Sequence, residues 1–184
     1  MTPMTLWLAR HAQPLVAPGV CYGRSNLAAD AAATAQSAQA LAAALPHGVP
    51  VIVSPLQRCE QLAHALLGLR PDLTAKTDAR LQEMDFGRWE GRVWADIEPA
   101  QLKAWTDDFA AYRAGGTGES VQLFMARVAA VFDTLDRTRA SCWLTHAGVI
   151  RAAGLIAGGQ RHITHAGQWP QGGPAFGQWV TLAL

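Results

Sequence analysis

A chain of 184 residues with a net charge of +1 is long enough for one domain with a full core and short for two. Half of it is apolar and 16% is charged, with no basic excess, so composition argues against nucleic-acid or anionic-membrane partners, and any positive field must be local, in a cleft. Three widely spaced cysteines, Cys21, Cys59 and Cys142, form no CxxC pattern and argue against a disulfide framework or a zinc site.

In chain order, Thr5 to Ala9 predicts a buried strand ending at Arg10-His11-Ala12. From Ala31, the apolar positions Ala35, Ala38, Leu41, Ala42 and Leu45 recur at helical spacing until Pro46 and Gly48 stop them. Residues 31–57 carry no Asp, Glu, Lys or Arg, yet Pro46, Pro50 and several polar residues interrupt them, so no membrane span is expected. The N-terminus has no basic stretch before its brief apolar run, which does not read as a signal peptide, and a soluble, cytoplasmic protein is the expectation. Val51-Ile52-Val53 predicts a short strand, Arg58 to Leu67 a helix, and Thr74 to Thr77 a strand leading to Leu81. Trp94 to Tyr112 reads as helical with a break near Pro99, and Gly115-Gly116-Thr117-Gly118 as a loop that lacks the Lys-Ser/Thr ending of a nucleotide cradle. Val121 to Leu135 is the cleanest amphipathic helix, with Ser120 as its N-cap. Ser141 to Thr145 predicts a strand, Gly148 to Ile156 a helix, and Gln178 to Leu182 a last strand after the loop from Gly167 to Gly177. The alternation predicts one α/β domain over 1–184, with helices on both faces of the sheet.

Ligand sites in such sheets gather beyond the carboxyl ends of the strands, and the chemistry-bearing residues sit there repeatedly. Arg10 and His11 follow the first strand, Ser54-Pro55-Leu56-Gln57-Arg58 the second, and Thr145-His146-Ala147-Gly148 a later one. A neutral imidazole can attack phosphorus, and guanidinium groups match phosphate oxygens bidentately. Arg58 and His146 lie at helix starts, where backbone N–H groups also favour an anion. Taken singly, each of these residues has an ordinary structural explanation; together they converge on one anion.

Those stretches, with Leu81-Gln82-Glu83-Met84-Asp85-Phe86-Gly87-Arg88-Trp89-Glu90-Gly91 and Gly118-Glu119-Ser120, resemble the ordered motifs of the histidine phosphatase, or phosphoglycerate mutase-like, superfamily from residue 6 to about residue 182. The resemblance implies a three-layer α/β/α sandwich around a mostly parallel sheet. It makes His11 the phosphorylated nucleophile and Glu83 the proton donor. Arg10, Arg58, His146 and the N–H groups near Ala147 and Gly148 become the phosphoryl ligands. No metal and no cofactor are implied, and the partner is a small-molecule phosphate ester. Glu90 is read as fixing its loop, Asp85 as a weaker acid candidate, Cys59 as helix packing, and His47, His64, His162 and His165 as uninvolved.

The sequence departs from the family pattern at Ala12, where Gly is usual, at Gln13, where Glu is common, and at Ala17, where Asn is frequent. The segment Gly19 to Asn26, which carries Tyr22, Gly23 and Arg24 as candidate substrate contacts, looks most like the α-ribazole phosphatase branch of cobalamin assembly, as does Trp105-Thr106-Asp107-Asp108-Phe109. A small lid over about 92–118 would stack its aromatics on a substrate ring; the equal alternative makes Trp94, Trp105 and Phe109 core anchors. Phosphoglycerate mutase-type transfer would need further cations, and a phosphate-binding module without turnover is the reading from another class. Oligomeric state is not legible.

Overall fold

The computed structural model describes residues 4–184; the first three residues, on which the N-terminal reading partly rests, lie outside them. Five strands, β1 (Thr5–Arg10), β2 (Pro50–Val53), β3 (Thr74–Thr77), β4 (Ser141–Thr145) and β5 (Trp179–Ala183), form one sheet in the order β3-β2-β4-β1-β5. All neighbours are parallel except β5, which runs antiparallel to β1 at the edge. The fold is the α/β domain that the alternation of elements predicts, with the mostly parallel sheet that the resemblance implies.

Period-two alternation sorts the strand residues into two cores. Leu6 and Leu8 of β1, Ile52 of β2 and Trp143 of β4 face one side, against α4 (Val121–Phe132) and α5 (Ala147–Ala157). Ala9, Val51, Val53, Cys142 and Leu144 face the other, against α1 (Ala31–Ala44) and α2 (Gln57–Leu69). The cap of α4 is Ser120, which accepts from Leu123 N at 3.2 Å, and that of α1 is Asp30, which accepts from Ala33 N at 2.8 Å.

The stretch from Trp94 to Tyr112 differs from its expected form. Trp94–Asp96 is a single 3-10 turn, and α3 spans only Pro99–Asp107. Pro99 starts this helix instead of breaking it, because a first-turn residue has no intrahelical use for its missing N–H. The loop of Gly115 and Gly116, both with positive φ, lies against Phe86, Arg88 and Trp89 so closely that a Cβ at Gly115 would strike their backbone.

The sheet order brings the carboxyl ends of β2, β4 and β1 side by side. Arg10 pairs with Thr145 and Val53 with Leu144, and the ladder continues as His11 N donates to Thr145 O at 3.1 Å and Ser54 N to Leu144 O at 3.0 Å. His11, Ser54 and His146 are therefore neighbours by register. Among the described residues, no helix is long and apolar enough to cross a membrane.

Candidate active site

His11 is 2% exposed, and its Nδ1 lies 2.7 Å from Ala12 O. A carbonyl only accepts, so Nδ1 carries the proton and the lone pair is on Nε2. Arg58 Nε donates to that nitrogen at 3.3 Å. Burial first, and then the charges of Arg58 and Arg10, push the His11 pKa down to about 3, so the ring is neutral at pH 7. Among the described residues no non-glycine has positive φ, and the methyl of Ala12 sits fully buried without backbone strain.

Arg58 lies in the first turn of α2 and is fully buried. Its terminal nitrogens donate to Ser25 O at 2.7 Å and Gly23 O at 2.6 Å, carbonyls of the loop after β1. That loop is held in turn by Glu90, whose carboxylate accepts from Arg24 N, Ser25 N, the Ser25 hydroxyl and Phe86 N. The expectation that Glu90 fixes its loop is what the contacts describe. Arg10 is anchored through Pro174 O at 3.0 Å, its guanidinium lies 3.7 Å from the centroid of the Phe176 ring, and its buried Nε has no partner among the described residues. Burial lowers the pKa of both arginines from an ordinary value so high that both stay charged.

His146 is the N-cap of α5 and fully buried, its ring centroid 5.1 Å from that of His11. Its Nε2 faces Ser54 Oγ at 2.8 Å, and its Nδ1 has no partner among the described residues. Cys59 packs against the same nitrogen at 3.5 Å, and burial pushes its thiol up to about 12, which keeps it protonated.

Glu83 sits at the N-terminus of α5, accepting from Gly148 N at 2.9 Å and Met84 N at 3.0 Å. A Cβ at position 148 would run into this carboxylate, so Gly148 makes room for it. The Gly148 N–H, expected to face a phosphoryl group, is thus already engaged by Glu83, while Ala147 at the first position of the helix lines the cavity.

A cavity of about 340 Å³ opens over Arg10, His11, Tyr22, Arg58, Glu83 and Ala147, while His146 is fully buried beside His11 and does not itself line it. Phe86, Trp94, Trp105, Phe109 and Trp169 line its apolar side, and Arg151 also borders it. The structure does not bring Arg24 there: its side chain is 58% exposed and lies 3.5 Å from Asp85. Asp85 accepts from Gly87 N at 2.8 Å and does not line the cavity, and Gly23 contributes its carbonyl to Arg58, not a contact in the cavity. Sequence reading missed Ser54 as a partner of His146, Phe176 beneath Arg10, and Arg151 and Trp169 on the wall. Only Ser54 and Arg151 lay within stretches that carried a signal.

A family model for the histidine phosphatase superfamily (branch 1) matches residues 6–171. This chain belongs to the histidine phosphatase superfamily. Among solved structures, this histidine phosphatase is similar to the protein TTHB049 from Thermus thermophilus, with 29% identity, 97% of this chain and 93% of that one covered, and a TM-score of 0.74. It shares the fold of mycobacterial glucosyl-3-phosphoglycerate phosphatase Rv2419c, at 23% identity, 97% and 89% coverage and a TM-score of 0.77. It shares it too with a candidate alpha-ribazole-5'-P phosphatase from Escherichia coli K-12, at 23% identity, 97% and 89% coverage and a TM-score of 0.76. No curated protein matches the sequence.

Proposed function

We propose that this chain is a metal-independent phosphomonoesterase that works through a phosphohistidine. The observation that carries this reading is the neutral His11 with its Nε2 lone pair turned toward Arg58 at the cavity floor. His11 Nε2 attacks phosphorus, the P–O bond to the alkoxide breaks, and Glu83 delivers the proton that the departing oxygen takes up. Water then attacks the phosphohistidine, Glu83 receives its proton, and inorganic phosphate leaves with His11 restored. Arg10, Arg58, His146 and the Ala147 N–H surround the three equatorial oxygens, a preorganised field for the charge that spreads over them.

Support for the leaving group comes from the aromatic wall, which suits an ester carrying a flat apolar ring, and alpha-ribazole 5'-phosphate fits that description. The segment 92–118 contributes Trp94, Trp105 and Phe109 to this wall and packs them onto the core in the same arrangement. A carboxylate-bearing leaving group is the second reading, favoured by Arg151, whose Nε donates to Gly172 O while its terminal nitrogens have no partner among the described residues. Phosphate release from alpha-ribazole phosphate, 3-phosphoglycerate, sugar phosphates and p-nitrophenyl phosphate, with EDTA present, tests both. The expected result is turnover led by the ring-bearing ester, an acid-labile phosphohistidine on the quenched enzyme, and loss of at least about 10⁴-fold in kcat for His11→Ala. Normal hydrolysis by His11→Ala would falsify the assignment, and phosphate binding without any release would make the chain a binding module.

A further inference from the structure

His146 can hold its proton on either ring nitrogen, and the choice decides whether it offers the phosphoryl group a donor or a lone pair. Behind the ring, Ser54 Oγ lies 2.8 Å from Nε2, and both residues are fully buried. The Leu56 N–H points at the same hydroxyl oxygen from 3.4 Å and can only donate, so the oxygen accepts there. The hydroxyl proton must go elsewhere, and the one strong acceptor among its contacts is the Nε2 lone pair. Cys59 Sγ, 3.5 Å from Nε2, is a weak acceptor and lies 3.6 Å from Thr145 O, to which its own proton can go. An imidazole that accepts at Nε2 carries its proton on Nδ1. That nitrogen is buried with no partner among the described residues, in a ring whose centroid lies 5.1 Å from that of His11. A buried N–H without an acceptor is costly, and an anion supplies the acceptor.

We propose that Ser54 is a positioning residue: its hydroxyl locks His146 as the Nδ1–H tautomer, so that the ring donates to the phosphoryl oxygens and never turns a lone pair toward them. The inference rests on the phosphoryl-transfer reading for its role and on the hydrogen-bond geometry for the tautomer. Ring charge does not replace the tautomer, because burial first, and then His11, Arg58, Arg127 and Arg10, hold the His146 pKa well below its ordinary value.

Nitrogen-15 NMR of the histidine-labelled full chain reads the tautomer directly. The wild type is expected to show a pyrrole-type Nδ1 and a pyridine-type Nε2 for His146, and Ser54→Ala to lose that preference. Binding of inorganic phosphate should weaken about 10-fold in Ser54→Ala and kcat fall by a similar factor, with Ser54→Thr restoring both. A proton on Nε2 in the wild type would overturn the proposal even if Ser54→Ala failed to fold, as would a folded Ser54→Ala with unchanged phosphate affinity and kcat. The NMR and phosphate titrations need no turnover, so a protein inactive on every ester would sink the phosphatase reading separately.

Discussion

The two halves of the cavity are built by different means. The phosphoryl half stands on the ends of β1, β2 and β4, where sheet register alone sets His11, Ser54 and His146 side by side and every side chain is gripped from behind. The leaving-group half is assembled from Phe86, Trp94, Trp105, Phe109 and Trp169, drawn from turns, a short helix and loops. On the proposed function, reaction type rests on backbone hydrogen bonds that tolerate little change, and substrate choice on ring packing that loops can rearrange without disturbing the sheet.

Glu83 stands where the halves meet, and among substitutions that leave the nucleophile in place its own has the largest expected effect. Glu83→Gln keeps an oxygen for the Gly148 and Met84 N–H groups but has no proton to deliver. For an alkyl phosphate, kcat should fall by about 10² to 10⁴, while p-nitrophenyl phosphate, whose leaving group needs little help, should slow far less. Steady-state rates on the two esters decide the matter. Equal slowing would take Glu83 out of the acid role and leave the chemistry wholly within the phosphoryl half.

The same division explains what the sequence made legible. Arg10, His11, Arg58 and His146 were readable because each sits at or within a few residues of a strand's end, in a stretch whose neighbours constrain it. The strands themselves were readable even at β3, whose four residues are all exposed and which begins and ends on Thr. The link between Ser54 and His146 was not readable, since it spans 92 positions and depends on the β2-β4 register. Phe176 lay in a glycine- and proline-rich loop with no periodicity, yet lies against the Arg10 guanidinium. Arg24 is close to Tyr22 in sequence, but its backbone N–H is bound by Glu90 and its side chain reaches Asp85 outside the cavity.

Acid should weaken the phosphoryl half before it touches the aromatic one. His11 has a folded pKa of about 3, and that of His146 is also well below the ordinary value of about 6.5 that both regain on unfolding. As pH falls below about 6.5, the unfolded chain takes up protons that the folded chain refuses. Stability then drops by about 1.4 kcal/mol per pH unit for each histidine. Urea unfolding in phosphate-free buffer between about pH 7.5 and 5, above the range where carboxylates titrate, should show this slope reduced by one proton in His11→Ala. An identical slope in the variant would mean that His11 is charged in the fold, which the attack on phosphorus does not allow.

The smallest expected effect belongs to the aromatic wall and is the sharpest test of the comparison. Trp94 and Trp105 are stacked at 6.3 Å with 13° between their planes, and Trp105 meets Phe86 edge-on at 6.1 Å. Trp105→Leu retains apolar volume but removes the flat face. It should raise KM about 2- to 10-fold for ring-bearing esters, which lose stacking of about 0.5–1.5 kcal/mol beyond area burial, while kcat on glycerol phosphate and the acid slope stay as they are. Kinetics on the two esters separate the possibilities, because a wall that only recognises the ring changes KM for that ring alone. If kcat fell equally on both, Trp105 would be bracing the phosphoryl floor through Phe86 and the 83–90 segment, and the two halves would be one mechanical unit.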